Sequence, residues 1–92
     1  MKINLEFIKA RLLSGDEVAV NTSHLKDDME SLFNYYLIDE DRPPIISLYF
    51  SERSTFDLTS FSETYFTNII GSKVSYSALN DVSILTCKKS IQ

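Results

Sequence analysis

The stretch Ile45–Phe66, IISLYFSERSTFDLTSFSETYF, decides how the rest of the chain is interpreted. Its first six residues, 45–50, are mostly β-branched, aliphatic or aromatic, which predicts a central strand buried on both faces. A polar loop follows, and Ser60 with Glu63 forms a capping-box pattern, in which each side chain satisfies a free amide at the start of a helix. Apolar residues at helical spacing then continue to Gly71, which favours the left-handed conformation that ends helices. The stretch therefore predicts strand 45–50, a loop and helix 60–70.

The remaining segments alternate between helical and extended patterns. Apolar residues recur at helical spacing over 24–37, behind Ser23 as a candidate N-cap. Residues 73–78 alternate apolar and polar, which predicts a strand, and residues 81–91 predict a last helix capped by Asn80 or Asp81. Such alternation is typical of an α/β domain whose parallel strands are joined by right-handed crossovers.

The first twenty residues fit two structures. Apolar and polar side chains alternate over 2–7, which favours a strand, whereas Leu5, Ile8 and Leu12 have the spacing of a helix. Of the two we prefer a β-hairpin-like start, followed by a short extended segment at 17–20.

Composition and charge limit the classes of function. The 92 residues are 43% hydrophobic and 24% charged, which predicts one globular domain. Thirteen acidic against nine basic residues give a net charge of −4, which argues against binding to duplex DNA and suits a partner with a basic face. A single cysteine, Cys87, indicates a reducing compartment. Because we find neither a signal peptide nor a long apolar segment, we expect a cytoplasmic protein without a membrane span.

From Ile45 to Ile91 the chain resembles the STAS domain of bacterial anti-sigma-factor antagonists, and most of all the divergent STAS-like family. The resemblance rests on Leu48-Tyr49-Phe50, on TSFSETYF at 59–66 and on LNDVSILTCKKSI at 79–91. Upstream, LLSGDEVAVNTSHL at 12–25 is similar to a strand end that leads into the first helix of that family. The resemblance implies a single STAS-like α/β domain over 1–92, with a mixed sheet of about four strands and three to four helices.

The resemblance also implies a function in regulatory binding. In phosphorylated STAS antagonists the switch loop reads Asp-Ser-Ser-Gly, and the aligned residues here are Leu58, Thr59, Ser60 and Phe61, so two of the four positions differ. It makes Thr59 and Ser60 candidate phosphoacceptors, against the simpler interpretation that Ser60 is an N-cap and Thr59 a loop residue. Of the two, we expect Thr59 to be the more exposed hydroxyl. The expected binding surface is the loop and helix N-terminus near residues 51–66, with Asp57, Thr59, Ser60 and Glu63 as the partner-binding residues. The implied partner is a protein, a GHKL-type ATPase or kinase regulator, and the module itself is not an enzyme.

A second hypothesis starts from the acidic residues. Asp27-Asp28 and Asp39-Glu40-Asp41 would suit an acidic inhibitor, for instance one encoded by a phage, that blocks a nucleic-acid-binding protein. For the segment at 39–41 the simpler interpretation is a solvated loop.

Residues for catalysis or for holding a cofactor are few. His24 and Cys87 are each unique, so a Cys–His nucleophile is conceivable, but a small half-buried cysteine is the more usual outcome. One histidine and one cysteine do not make a zinc site, and glycines only at 15 and 71 do not make a phosphate-binding loop. We therefore predict no cofactor and no metal.

Overall fold

The computed structural model describes residues 3–87. Within them the helices and strands follow one another as α1 (Leu5–Leu13), β1 (Val18–Asn21), α2 (Thr22–Ile38), α3 (Pro44–Glu52), α4 (Leu58–Ile70), β2 (Val74–Leu79) and β3 (Val82–Cys87).

The three strands form an antiparallel sheet in the order β1-β3-β2. The predicted α/β class and the number of helices agree with this architecture, whereas the parallel crossovers and the mixed sheet of about four strands do not. The reason is the link between β2 and β3, a two-residue turn at Asn80-Asp81. Asn80 has a φ of 57°, in the left-handed region that asparagine tolerates, and so tight a turn can only join antiparallel neighbours.

The helices cover one face of the sheet. Val18 of β1, Leu85 of β3 and Val74 of β2 lie on the covered face and are buried, while Ala19 and Ser75 lie on the other face and are exposed. The buried apolar side chains form one cluster, to which α4 contributes Phe61, Tyr65 and Phe66. Helix α4 contacts α1, α2, α3 and β2, and it is therefore the central element of the core.

The predicted helix 24–37 is confirmed as α2, although its cap differs from the prediction. Asn21, not Ser23, is the N-cap, since its Oδ1 accepts hydrogen bonds from the backbone N–H groups of Ser23 and His24. The Ser23 hydroxyl also donates to Asn21 Oδ1, at 2.6 Å. The extended backbone of β1 thus passes directly into α2 through one asparagine.

The predicted strand 45–50 is wrong, because these residues belong to α3. Pro44 is the first residue of that helix, where its missing N–H costs nothing. Helical geometry places Ile46, Tyr49 and Phe50 on one side, facing the core, and leaves Leu48 59% exposed. A six-residue apolar run is too short for periodicity to distinguish a buried strand from a helix.

The predicted helix 81–91 is also wrong, since residues 82–87 form β3 and residues 88–91 lie outside the described part of the chain. Ser83, Leu85 and Cys87 are buried and alternate with less buried residues, which is the two-residue period of a strand. Asn80-Asp81 is a hairpin turn rather than a helix cap.

At the N-terminus the preferred β-hairpin-like start is wrong and the helical alternative is right. Asn4 caps α1 by accepting from the Phe7 N–H at 3.1 Å, and Ile8 and Leu12 are the buried residues of this helix. The short extended segment at 17–20 is confirmed by β1, and the strand at 73–78 by β2.

Candidate functional site: a groove between α3 and α4

Asp57 begins the helix that carries most of the predicted site. Its Oδ2 accepts a hydrogen bond from the Ser60 N–H at 2.9 Å, so Asp57 is the N-cap of α4 and Ser60 is the third residue of the helix. The predicted capping box of Ser60 and Glu63 is therefore wrong. The end predicted at Gly71 is confirmed, since this residue has a φ of 86° and its N–H donates to the Thr67 carbonyl.

Ser60 joins α4 to α3. Its Oγ lies 3.1 Å from the hydroxyl of Tyr49, whose side chain is buried between the two helices. Thr59 is exposed whereas Ser60 is half-buried, which confirms Thr59 as the more accessible hydroxyl of the pair.

The α3–α4 groove is an open cleft of about 400 Å³ beside this contact. Its lining combines an apolar floor, four hydroxyl groups and two charged groups of each sign. It comprises Ile45, Leu48, Tyr49, Glu52, Arg53, Ser60, Glu63, Thr64, Thr67 and Lys73. A cleft with both an apolar floor and polar groups suits a protein or peptide segment better than a purely apolar ligand.

Glu63 is held from two sides. Its Oε2 accepts from the Tyr76 N–H of β2 at 2.9 Å, and its Oε1 lies 3.7 Å from Lys73 Nζ. The side chain of Lys73 is 67% exposed, so this ion pair contributes little to stability. The backbone hydrogen bond therefore fixes the carboxylate at the edge of the groove.

Of the four predicted partner-binding residues, the structure brings Ser60 and Glu63 into the groove. Asp57 and Thr59 are not among its lining residues, and they lie in the first turn of α4 beside it. Arg53 lies within the predicted surface at 51–66, whereas Tyr49 and the groove itself are not predicted, because the sequence pattern assigns residues 45–50 to a strand. The signal that could have found α3 was Pro44, which is favoured at the first position of a helix.

His24 and Cys87 do not form a pair. His24 is close to Asn21, which pairs with Val82 at the start of β3. Cys87 is at the other end of β3, about 16 Å along the strand. Cys87 is buried.

Within residues 3–87 no group of three or more His, Cys, Asp or Glu side chains is placed to hold a metal ion. None of the helices in this range has both the length and the hydropathy needed to cross a bilayer.

The chain was compared with protein-family models, with curated proteins and with solved structures, and none of them matches it.

The electrostatics of the site centre on Asp57. The backbone N–H of Ser60, then its hydroxyl, and more weakly the positive charge of Arg53 hold the pKa of the Asp57 carboxyl below its ordinary value. The Ser60 and Tyr49 hydroxyls lie 3.1 Å apart, and either of them can donate that hydrogen bond.

We expect the free energy of unfolding of Asp57→Asn to fall less steeply with decreasing pH than that of the unsubstituted protein. Because the folded pKa is lowered, the contribution of Asp57 is complete above its unfolded pKa of about 3.9 and is lost as the pH falls through the folded value. Asparagine is an equally good N-cap, so stability near neutral pH should change little, whereas Asp57→Ala should cost about 0.5–2 kcal/mol at pH 7. Urea unfolding of the three proteins across the acid range measures both effects. An unchanged acid slope for Asp57→Asn would contradict the assignment.

Proposed function

We propose that the chain is a non-catalytic protein-interaction module, similar to anti-sigma-factor antagonists, and that its partner docks in the α3–α4 groove. The observation that carries the proposal is the meeting of Ser60 and Glu63, predicted from the sequence to bind a partner, with the exposed side chain of Leu48 in one groove. Exposed apolar side chains beside fixed polar groups are the usual composition of a protein-binding surface.

The groove also offers rigid polar groups. The hydroxyls of Tyr49 and Ser60 are already oriented by their mutual hydrogen bond, and the Glu63 carboxylate is held by the Tyr76 N–H. Groups that are ordered before binding lose less entropy on association, which favours affinity.

Phosphorylation of Thr59 would give the module a means of control. It is exposed in the first turn of α4, where the free N–H groups of the helix favour a phosphate. A phosphate there would place about two negative charges next to Asp57 and beside the groove, and so would oppose a partner with an acidic or closely fitting surface. The proposed partner is a protein, a GHKL-type ATPase or kinase regulator, the class that the resemblance to STAS domains implies.

A different surface supports the second candidate, an acidic inhibitor of a nucleic-acid-binding protein. Glu40 and Asp41 are exposed, and Ile38 and Leu37 beside them are 82% and 48% exposed. This α2 tip, residues 37–41, combines acidic with apolar side chains, as an inhibitor of a basic protein would need. Asp27-Asp28 lie about 18 Å away along α2, and Asp28 accepts from the Ile3 N–H, so only Asp27 of that pair is fully exposed.

Matched variants distinguish the two surfaces. Leu48→Lys and Ile38→Lys each change an exposed aliphatic side chain on a helix, and we expect both to leave the free energy of unfolding within about 0.5 kcal/mol. Binding to a purified partner should weaken at least about tenfold in Leu48→Lys, the loss of one well-placed contact, and remain unchanged in Ile38→Lys. Isothermal titration calorimetry measures both.

The reverse result would favour the α2 tip. Loss of binding in Ile38→Lys with Leu48→Lys unaffected, together with affinity that falls steeply as salt is added, would replace the groove by the acidic surface. If neither variant weakens binding, both proposed surfaces are wrong.

A further inference from the structure

Arg42 and Arg53 lie just before and just after α3, and neither has a carboxylate partner in the described part of the chain. Within residues 3–87 the ion pairs are made by Arg11 and Lys73. The two arginines at α3 are therefore positive groups that the fold does not neutralise, and they are available to a ligand.

Aromatic rings of α3 hold both guanidinium groups. Arg42 Cζ lies 4.8 Å from the ring centroid of Phe50, and Arg53 Cζ lies 5.8 Å from that of Tyr49. The two ring centroids are 5.7 Å apart, and the Arg42 Nε–H also donates to the Asp39 carbonyl at 3.2 Å. A guanidinium that lies on a ring keeps N–H groups at its edge, where they match the two oxygens of a carboxylate. Because both groups are oriented before binding, they lose little entropy on association.

The Arg42 cleft is a second open depression, of about 420 Å³, along a different face of α3 from the α3–α4 groove. No carboxylate is among its lining residues, which are Leu37, Arg42, Ser47, Phe50, Ser51, Arg53 and Ser54. Arg53 also lines the α3–α4 groove, so the two clefts meet at the C-terminal end of α3. A peptide segment in the groove reaches the Arg42 cleft by passing Arg53.

The two clefts carry a charge opposite in sign to that of the whole chain. Their linings contain Arg42, Arg53 and Lys73 against Glu52 and Glu63, a net charge of +1 in a chain of net charge −4. Lys73 Nζ and Glu63 Oε1 lie 3.7 Å apart. The charges of the linings that remain unpaired are therefore two arginines and one glutamate.

Asp57 is a further carboxylate beside Arg53, and it is already engaged. Its Oδ2 accepts from the Ser60 N–H at 2.9 Å, and this bond lowers the pKa of the carboxyl more than the charge of Arg53 does. Asp57 therefore leaves the guanidinium of Arg53 free to bind another acidic group.

This charge pattern favours an acidic peptide segment over other occupants. A segment rich in lysine or arginine would meet two unpaired guanidinium groups, and such like-charge contacts oppose binding. A polyanion such as duplex DNA needs many clustered basic residues, which a chain of net charge −4 does not offer. Residues 1–2 and 88–92, outside the described range, contain no acidic side chain. The acidic groups must therefore come from another chain.

We propose that the partner segment that docks over α3 is acidic, with Asp or Glu side chains that bind Arg42 and Arg53 and an apolar side chain that contacts Leu48. The inference rests on the proposed function, since it names the chemistry of the protein that occupies the α3–α4 groove. It is opposite in sign to the basic partner that the α2 tip would bind.

The test selects peptides from a random library displayed on phage. The library is first depleted on immobilised Leu48→Lys and then selected on the unsubstituted protein, so that the recovered peptides depend on Leu48. We expect their sequences to be enriched in Asp and Glu and depleted in Lys and Arg relative to the unselected library.

The double variant Arg42→Gln/Arg53→Gln measures the contribution of the two charges. A recovered peptide, made synthetically, should bind this variant at least about tenfold more weakly, and its affinity for the unsubstituted protein should fall as salt is added. Arg11→Gln is the matched control, because Arg11 also lies near an aromatic ring, that of Phe7, but outside both clefts. Its affinity for the peptide should be unchanged.

Nuclear magnetic resonance tests the contact without a substitution. When the peptide is added to the unsubstituted protein, the Nε–H resonances of Arg42 and Arg53 should shift, and that of Arg11 should not. Arginine resonances that stay in place at saturating peptide would overturn the inference.

The outcomes separate this inference from the proposed function. Leu48-dependent peptides that are not acidic, or that bind the double variant as tightly as the unsubstituted protein, would overturn the acidic chemistry and leave the groove as a docking site. A selection that yields no Leu48-dependent peptide would overturn both. Self-association of the unsubstituted protein that Ile38→Lys abolishes would make the acidic α2 tip of a second copy the occupant, in place of a different protein.

Discussion

Phe61→Ala should lower the free energy of unfolding by about 3–5 kcal/mol, the largest effect that we expect from any single substitution in this chain. Phe61 is fully buried and its ring centroid lies 5.4 Å from that of Tyr49 and 5.5 Å from that of Phe33. It therefore connects α2 and α3 to α4. Removing the ring leaves a cavity at the point where three helices meet, and they can close it only by moving together.

The measurement is urea unfolding monitored by circular dichroism. Phe7→Ala is the matched control, since Phe7 is 52% exposed on α1, and its cost should stay below about 1 kcal/mol. A domain of this size has a total stability of about 5–15 kcal/mol, so Phe61→Ala should leave little of it. A cost for Phe61→Ala close to that of Phe7→Ala would contradict the central position of the ring.

Ser83→Ala should cost about 1–3 kcal/mol, although it removes a single oxygen atom. Ser83 is fully buried, and its Oγ lies 2.7 Å from Thr22 Oγ1 and 2.7 Å from the Tyr76 hydroxyl. The three hydroxyl groups link the start of α2 to β3 and β2. Loss of the middle one leaves two part-buried hydroxyl groups without their shared partner.

Ser62→Ala is the matched substitution, and we expect that it does not lower the free energy of unfolding. Ser62 is also fully buried, but its Oγ has no hydrogen-bond partner within residues 3–87. Its removal should therefore leave the free energy of unfolding unchanged or raise it by about 1 kcal/mol. Equal costs for the two serines in thermal and urea unfolding would show that hydrogen bonding at these sites does not determine stability.

The sequence by itself determined the elements with a long or clear period. Helix α2 has 17 residues and α4 has 13, enough for the helical spacing of their apolar residues to be unambiguous, and Gly71 marked the end of α4. The alternation at 73–78 was sufficient for β2. The exposure of Thr59 relative to Ser60 also followed from its position at the start of the helix.

Only the tertiary structure decided the segments whose local pattern is ambiguous. Ile45–Phe50 became part of a helix because that geometry places Tyr49 and Phe50 against Phe61, with ring centroids 5.4 and 6.5 Å away. Residues 82–87 became a strand because β1 and β2 flank them on both sides. One side of β3 pairs with β1, which is distant in the sequence, and no local period encodes that pairing.

Tertiary packing also decided the contacts of the candidate site. The spacing of Ser60 and Glu63 predicts a capping box, a local pattern that leaves out Asp57. In the folded chain Asp57 caps the helix, which leaves Ser60 free to bind Tyr49 and Glu63 free to bind the Tyr76 N–H. The sequence determined which residues carry the polar groups near the start of α4, and the packing of α3 and β2 against that helix decided what those groups bind.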